Sequence, residues 1–199
     1  MSKTRSKTAF PRRQRLILGC INHYLPEKGW ENVHADLSSR DLHHPTLGTV
    51  PVDHIVDAAH MHLFKTGRFD EVRMWHTLEH LTAKRAAMAV GEVARVLKPG
   101  GVFDVEVPDL DRLCRAWIGM GTVTNPGSLE YTREGLLQWF YSEDVEGVLP
   151  DPDLNAHRSG WNEDLLGAVL REHGFDPGDR LESGLALRYR AVKSTERDS

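Results

Sequence analysis

The chain has 199 residues, 40% of them hydrophobic and 27% charged, with a net charge of −4. This is enough chain for one domain with a sizeable core, and the mild acidity argues against wholesale coating of nucleic acid. No run approaches the roughly 18 apolar residues of a membrane span, no apolar signal core opens the chain, and two cysteines cannot build a disulfide framework. A reducing, cytoplasmic setting is expected.

Lys3, Arg5, Lys7, Arg12, Arg13 and Arg15 all precede the first acidic residue. Residues 1–14 therefore read as a basic flexible tail, with a single domain over 15–199. Such a tail could touch nucleic-acid phosphate, but a solvated tail is the favoured reading.

Residues 15–20 (RLILGC) are a short apolar run ending in Gly, a first strand with a loop at its carboxyl end. Residues 31–36 (ENVHAD) alternate and end in an acid, a second strand. About ten residues separate the two, where a parallel crossover usually takes a dozen or more. The helix between them is therefore expected to be stunted or missing. Residues 37–53 read as loop, and residues 54–57 (HIVD) as a third short strand.

The most informative stretch is 69–108, FDEVRMWHTLEHLTAKRAAMAVGEVARVLKPGGVFDVEVP. Val72, Met74 and Trp75 make a strand. Ala86, Ala89, Val90, Val93, Val96 and Leu97 recur at three- and four-residue steps, one face of a helix. Lys98-Pro99-Gly100-Gly101 stops it, and Val102, Phe103, Val105 and Val107 begin a second strand. This is a βαβ unit, in which ligands sit beyond the carboxyl ends of the strands. Those ends carry Trp75, His76 and Glu79 on one strand and Pro108 and Asp109 on the next.

Downstream, Asp109 caps a helix over 110–120 with Leu113, Ala116 and Trp117 inward. Residues 129–140 read as another, with Leu136, Leu137 and Phe140 on one face. Residues 143–160 are acidic, Pro-rich and irregular, and are expected over the rim of the sheet. Asn162 caps a helix over 163–173 in which Leu165, Leu166, Val169 and Leu170 are apolar. Residues 181–192, broken at Ser183-Gly184, read as a closing hairpin. The fold class is α/β: a Rossmann-like, mostly parallel sheet flanked by helices, with a late antiparallel strand.

The ordered set LILGC, Asp36, Asp57-Ala58, FDEV…HTLEHL, LKPGG and VEVPDLDRL resembles a class I S-adenosylmethionine-dependent methyltransferase. It is closest to the small bacterial and phage branch with a shortened first crossover. The resemblance spans about residues 15–175 and includes HRSGW at 157–161. It implies S-adenosylmethionine as cofactor, a small-molecule or sugar-like methyl acceptor, and a set of positions. Gly19, Cys20 and Asn22 would wrap the methionine part of the cofactor. Asp36, with Leu37 beside it, would take the ribose, and Asp57-Ala58 the adenine. Trp75 would border the methyl donor; Tyr24, Glu79 and Trp161 would face the acceptor. His76, with His157 second, would act as base. Two positions depart from the family pattern: Ile21 where a second Gly is usual, and Ile17 where an acidic residue is frequent. Hence a non-catalytic scaffold on the same fold is the alternative, and a nucleic-acid methyltransferase a third.

His76-Thr-Leu-Glu79-His80 also matches H-x-x-E-H, a zinc-hydrolase pattern that needs both histidines on one helical face. Thr77 reads as a strand–helix junction, so His76 and His80 should diverge and no metal is expected at that pair.

Overall fold

We describe a computed structural model, which covers residues 13–19, 30–34, 41–44, 48–51, 53–119, 133–141 and 156–195. Cys20, Ile21, Asn22, Tyr24, Asp36, Leu37 and nearly all of the basic tail lie outside the described residues.

The strands are β1 (Arg15–Leu18), β2 (Trp30–His34), β3 (Asp41–His44), β4 (Gly48–Pro51), β5 (His54–Ile55), β6 (Phe69–Trp75), β7 (Leu97–Pro108), β8 (Phe175–Asp176), β9 (Leu181–Ser183) and β10 (Ala186–Lys193). The helices are α1 (Ala83–Val96), α2 (Leu110–Trp117), α3 (Arg133–Tyr141) and α4 (Glu163–Glu172). The main sheet has the order β5-β2-β1-β6-β7-β10-β8, with β9 pairing on β10. From β5 to β7 every pairing is parallel, while β10 runs antiparallel to β7, β8 and β9. The two strands of the 69–108 unit are thus central, as the sequence predicts. The order reverses between β1 and β6, the switch point where open α/β sheets bind ligands.

The alternation of β6 and β7 sorts the two faces of this sheet. Val72, Met74, Phe103, Val105 and Val107 are fully buried in one core cluster with Ala86, Ala89, Val90, Val93 and Val96 of α1. The opposite alternation carries charge. Asp104, fully buried, receives Arg188 Nε and Nη2 at 2.9 Å each, Arg190 Nη1 at 3.0 Å and Trp75 Nε1 at 3.0 Å. Arg73 and Arg188 both lie over the Trp75 ring, 4.3 and 4.4 Å from its centroid, and Arg73 and Arg15 also lie over Trp30. Stacked guanidinium planes and a shared carboxylate satisfy charges that neither could bury alone.

Several expectations are corrected. Residues 37–53, read as loop, contain the antiparallel hairpin β3–β4, in which Leu42 pairs with Val50. The third strand stops at Ile55, because Asp57 leaves the ladder to accept the Ala59 amide in a turn. Helix α1 does stop ahead of Lys98-Pro99-Gly100-Gly101, as expected, but these residues lie inside β7 instead of forming a turn before it. Pairing passes from Phe69↔Leu97 to Glu71↔Val102, so the four residues form a bulge inside β7, with Gly100 at φ +73°. Leu137 and Leu165 are exposed rather than inward, whereas Leu136, Leu166 and Leu170 are buried. Strand β8 is too short to announce itself by alternation and was not anticipated.

Candidate functional site at the carboxyl end of the central strands

Gly19 ends β1 with φ +77°, a conformation that a side chain resists. A Cβ there would stand 2.3 Å from Thr77 Oγ1. The chain therefore leaves β1 pressed against the residue that leaves β6. The Thr77 hydroxyl donates to the carbonyls of Trp75, at 3.0 Å, and Leu18, at 3.3 Å, tying the two strand ends together.

His76, next to Thr77, has φ +47°, the one positive φ of a non-glycine residue among the described residues. Its amide donates to the Glu106 carbonyl at 2.8 Å, continuing the β6–β7 ladder. The left-handed turn brings the imidazole between two carboxylates, with Nδ1 3.2 Å from Glu79 Oε1 and Nε2 3.0 Å from Glu106 Oε1. Burial alone would lower the pKa of His76, but the bonds to Glu106 and Glu79 push it up to about 9. Burial likewise opposes the charge on both carboxylates. The hydrogen bond from His76 prevails, and Glu79 and Glu106 stay below the ordinary range. Ser183 Oγ donates to the other oxygen of Glu106 at 2.7 Å. His76 thus stands as an imidazolium with both nitrogens committed, which corrects the expectation of a free base titrating near neutrality.

A 3₁₀ turn over Leu78–His80 follows, and it separates the pair in H-x-x-E-H. His76 turns to the carboxylates. The His80 ring meets His157 instead, with centroids 4.9 Å apart. His157 arrives on an extended strap that docks on this turn. Arg158 and Ser159 amides both donate to the Glu79 carbonyl, at 2.6 and 3.1 Å, and Ser159 Oγ to that of Leu78. His157 Nδ1 donates to the Trp139 carbonyl at 3.0 Å, and the Trp139 ring packs edge-on against His76 at 5.6 Å. Burial lowers the pKa of His157, so it is neutral at pH 7. With the proton on Nδ1, Nε2 carries the lone pair.

The other predicted positions sort as follows. Ala58 is buried behind the third-strand end; the Asp57 carboxylate there accepts Arg85 Nη2 at 2.7 Å on both oxygens. The Trp75 indole is held between Arg73 and Arg188 on the charged sheet face, contacts that account for its place without a ligand. Trp161 is a core residue. It is 4% exposed, bridges to Asp109, accepts the Leu110 amide and donates from Nε1 to Ser159 Oγ, so it fastens the strap rather than facing an acceptor. Glu106 and Trp139 complete the cluster and were not singled out from sequence, while His80 was noted only as part of H-x-x-E-H. For Glu106 a signal existed: it is the charged residue between Val105 and Val107, two residues before the strand ends.

A family model described as a methyltransferase domain matches residues 18–105, from the end of β1 into β7. Within those residues the chain matches a methyltransferase domain, and the solved structures that share its fold include SAM-dependent methyltransferases. Among solved structures, a SAM-dependent methyltransferase from Methanosarcina mazei is similar at 16% identity and a TM-score of 0.59, over 94% of this chain and 95% of that one. Magnesium protoporphyrin IX methyltransferase from Synechocystis, with SAH bound, is similar at 15% identity and a TM-score of 0.55, over 92% of this chain and 75% of that one. At such identities the likeness shows the shared fold. A comparison with curated proteins finds no match. The Synechocystis enzyme has also been solved with SAM bound. Gly19, Asp57 and Thr77 each follow the carboxyl end of one of the parallel strands β1, β5 and β6. Among the described residues no helix is long and apolar enough to cross a membrane.

Proposed function

We propose that the chain methylates a small-molecule or sugar-like acceptor, handled on the His157–Glu79–His80 side of the crevice. One observation carries this reading. A neutral imidazole, a buried carboxylate and a second imidazole meet just past the carboxyl end of β6, close in sequence to Thr77, which packs against Gly19 at the end of β1. S-adenosylmethionine supplies the electrophilic sulfonium methyl when bound. In this reading Gly19, with Cys20 and Asn22, holds the methionine part. Asp36 and Leu37 take the ribose, and Asp57-Ala58 the adenine. Tyr24 is assigned to the acceptor. Alignment of donor and acceptor supplies several kcal/mol of the barrier, so no nucleophile on the protein is needed.

His76 is not the base in this scheme, because its imidazolium has no lone pair to give. It fixes Glu79 and Glu106 and neutralises half of their charge. His157 is the neutral imidazole and manages the acceptor's proton. Calorimetry with S-adenosylmethionine and S-adenosylhomocysteine tests the reading. Binding at one cofactor per chain is expected, with methyl transfer to hydroxylated small molecules lost in His157→Ala. An Asp36→Ala variant should bind cofactor ~1–3 kcal/mol more weakly, the range for stranded hydrogen-bonding groups. Absence of binding by the native chain would leave the scaffold alternative in its place.

A further inference from the structure

The His76 clamp uses one oxygen of Glu79. The other, Oε2, is buried and has no partner among the described residues, in a side chain only 1% exposed. Nδ1 of His80 is buried and unpartnered in the same way. One potential ligand atom from each of Glu79, His80 and His157 lies within 4.8 Å of those of the other two. Buried polar atoms are nearly always satisfied, so an orphan on each of two residues that converge with a third potential ligand needs an explanation. Edge-on packing of the two imidazoles accounts for their contact but leaves the carboxylate oxygen bare.

We propose that Glu79, His80 and His157 hold one divalent transition-metal cation, of the zinc or manganese class, on the acceptor side of the crevice. The donor set is two imidazole nitrogens and one carboxylate oxygen. Such a set suits Zn²⁺, Co²⁺ or Mn²⁺ far better than the all-oxygen preference of Mg²⁺ or Ca²⁺. The outer contacts are those that metal-binding side chains need. The Trp139 carbonyl fixes the tautomer and orientation of His157, and His76 anchors the other oxygen of Glu79. Three protein ligands leave an open position, where an oxygen of the acceptor would bind and become more acidic. That last role rests on the methyl-transfer reading and takes over from His157 the handling of the acceptor's proton, because Nε2 then holds the cation; cation binding itself does not rest on that reading.

The test uses the full-length protein, stripped with a chelator and dialysed. Zn²⁺ affinity is measured by competition with a chromophoric chelator, and Co²⁺ loading is followed by its visible d–d absorption. One ion per chain is expected. His157→Ala, His80→Asn and Glu79→Gln should each weaken it at least tenfold and abolish the Co²⁺ bands, in proteins whose circular dichroism matches the native. Cys114→Ser, which alters an exposed thiol elsewhere, should change nothing. No stoichiometric binding, or binding that survives all three substitutions, overturns the proposal. If Glu79→Gln fails to fold, His80→Asn and His157→Ala decide. Cofactor calorimetry on the same preparations separates the two ideas. A chain that binds S-adenosylmethionine but no cation sinks only the metal site, and the converse result sinks the methyl-transfer reading.

Discussion

His76 shows how one backbone angle decides the chemistry of a side chain. A strand that continued would have sent the imidazole along the sheet; φ +47° turns it into the gap between Glu79 and Glu106. Raising a pKa from 6.5 to about 9 means that the folded state holds the proton more tightly than the unfolded chain does. This contribution to stability is complete below pH 6.5 and is lost as pH rises towards 9. Glu79 and Glu106 are shifted down, and theirs is lost as pH falls below about 4.5, the ordinary glutamate value. Urea unfolding of the native chain should therefore show a decline between pH 6.5 and 9 that His76→Asn lacks. Asparagine suits this variant because it tolerates the left-handed region. Equal slopes for the two proteins would contradict the imidazolium. At Gly19, alanine would meet both a positive φ and the Thr77 side chain, so Gly19→Ala should cost ~1–3 kcal/mol in the same assay. Part should return when Thr77→Ala is added.

Among the elements, helix α2 shows a cap that does more than cap. Asp109 Oδ1 accepts the amides of Asp111 and Arg112, while Oδ2 lies 2.6 Å from Arg180 Nη2. Asp109→Asn keeps the cap and removes the pair, and Asp109→Ala removes both. Cap loss alone costs ~1 kcal/mol, so the alanine variant should be the less stable of the two by about that amount in urea titrations. The cap was legible in the sequence, as was the βαβ unit, because capping and periodicity are local signals. The carboxylate partner of Arg180 was not, since it depends on β9 folding back against the start of α2. For the same reason His157 could be suspected but not placed. Its neighbours Glu79, His80 and Trp139 come from two other elements. The hairpin β3–β4 was missed because His43, His44 and Pro45 resemble loop composition, and nothing local announces a pairing that backbone geometry creates.

At the scale of the whole molecule, the sheet has one oily face and one ionic face. Asp104 serves three arginines and an indole with no exposure at all. Asp104→Asn should destabilise by ~3–5 kcal/mol, the range for breaking a buried ion pair. A cost under ~1 kcal/mol, read from thermal and urea unfolding together, would mean that the arginines find other partners. The strap at 157–161 has a different consequence. Two successive amides, of Arg158 and Ser159, converge on one carbonyl of Glu79. That carbonyl belongs to the residue whose side chain the imidazolium holds. Deuterium labelling of those two amides would therefore report site assembly directly. Their exchange clock runs on undocking of the strap, a partial opening cheaper than unfolding the sheet. Whatever occupies the crevice should slow that clock, while the amides of β6 and β7 keep their pace.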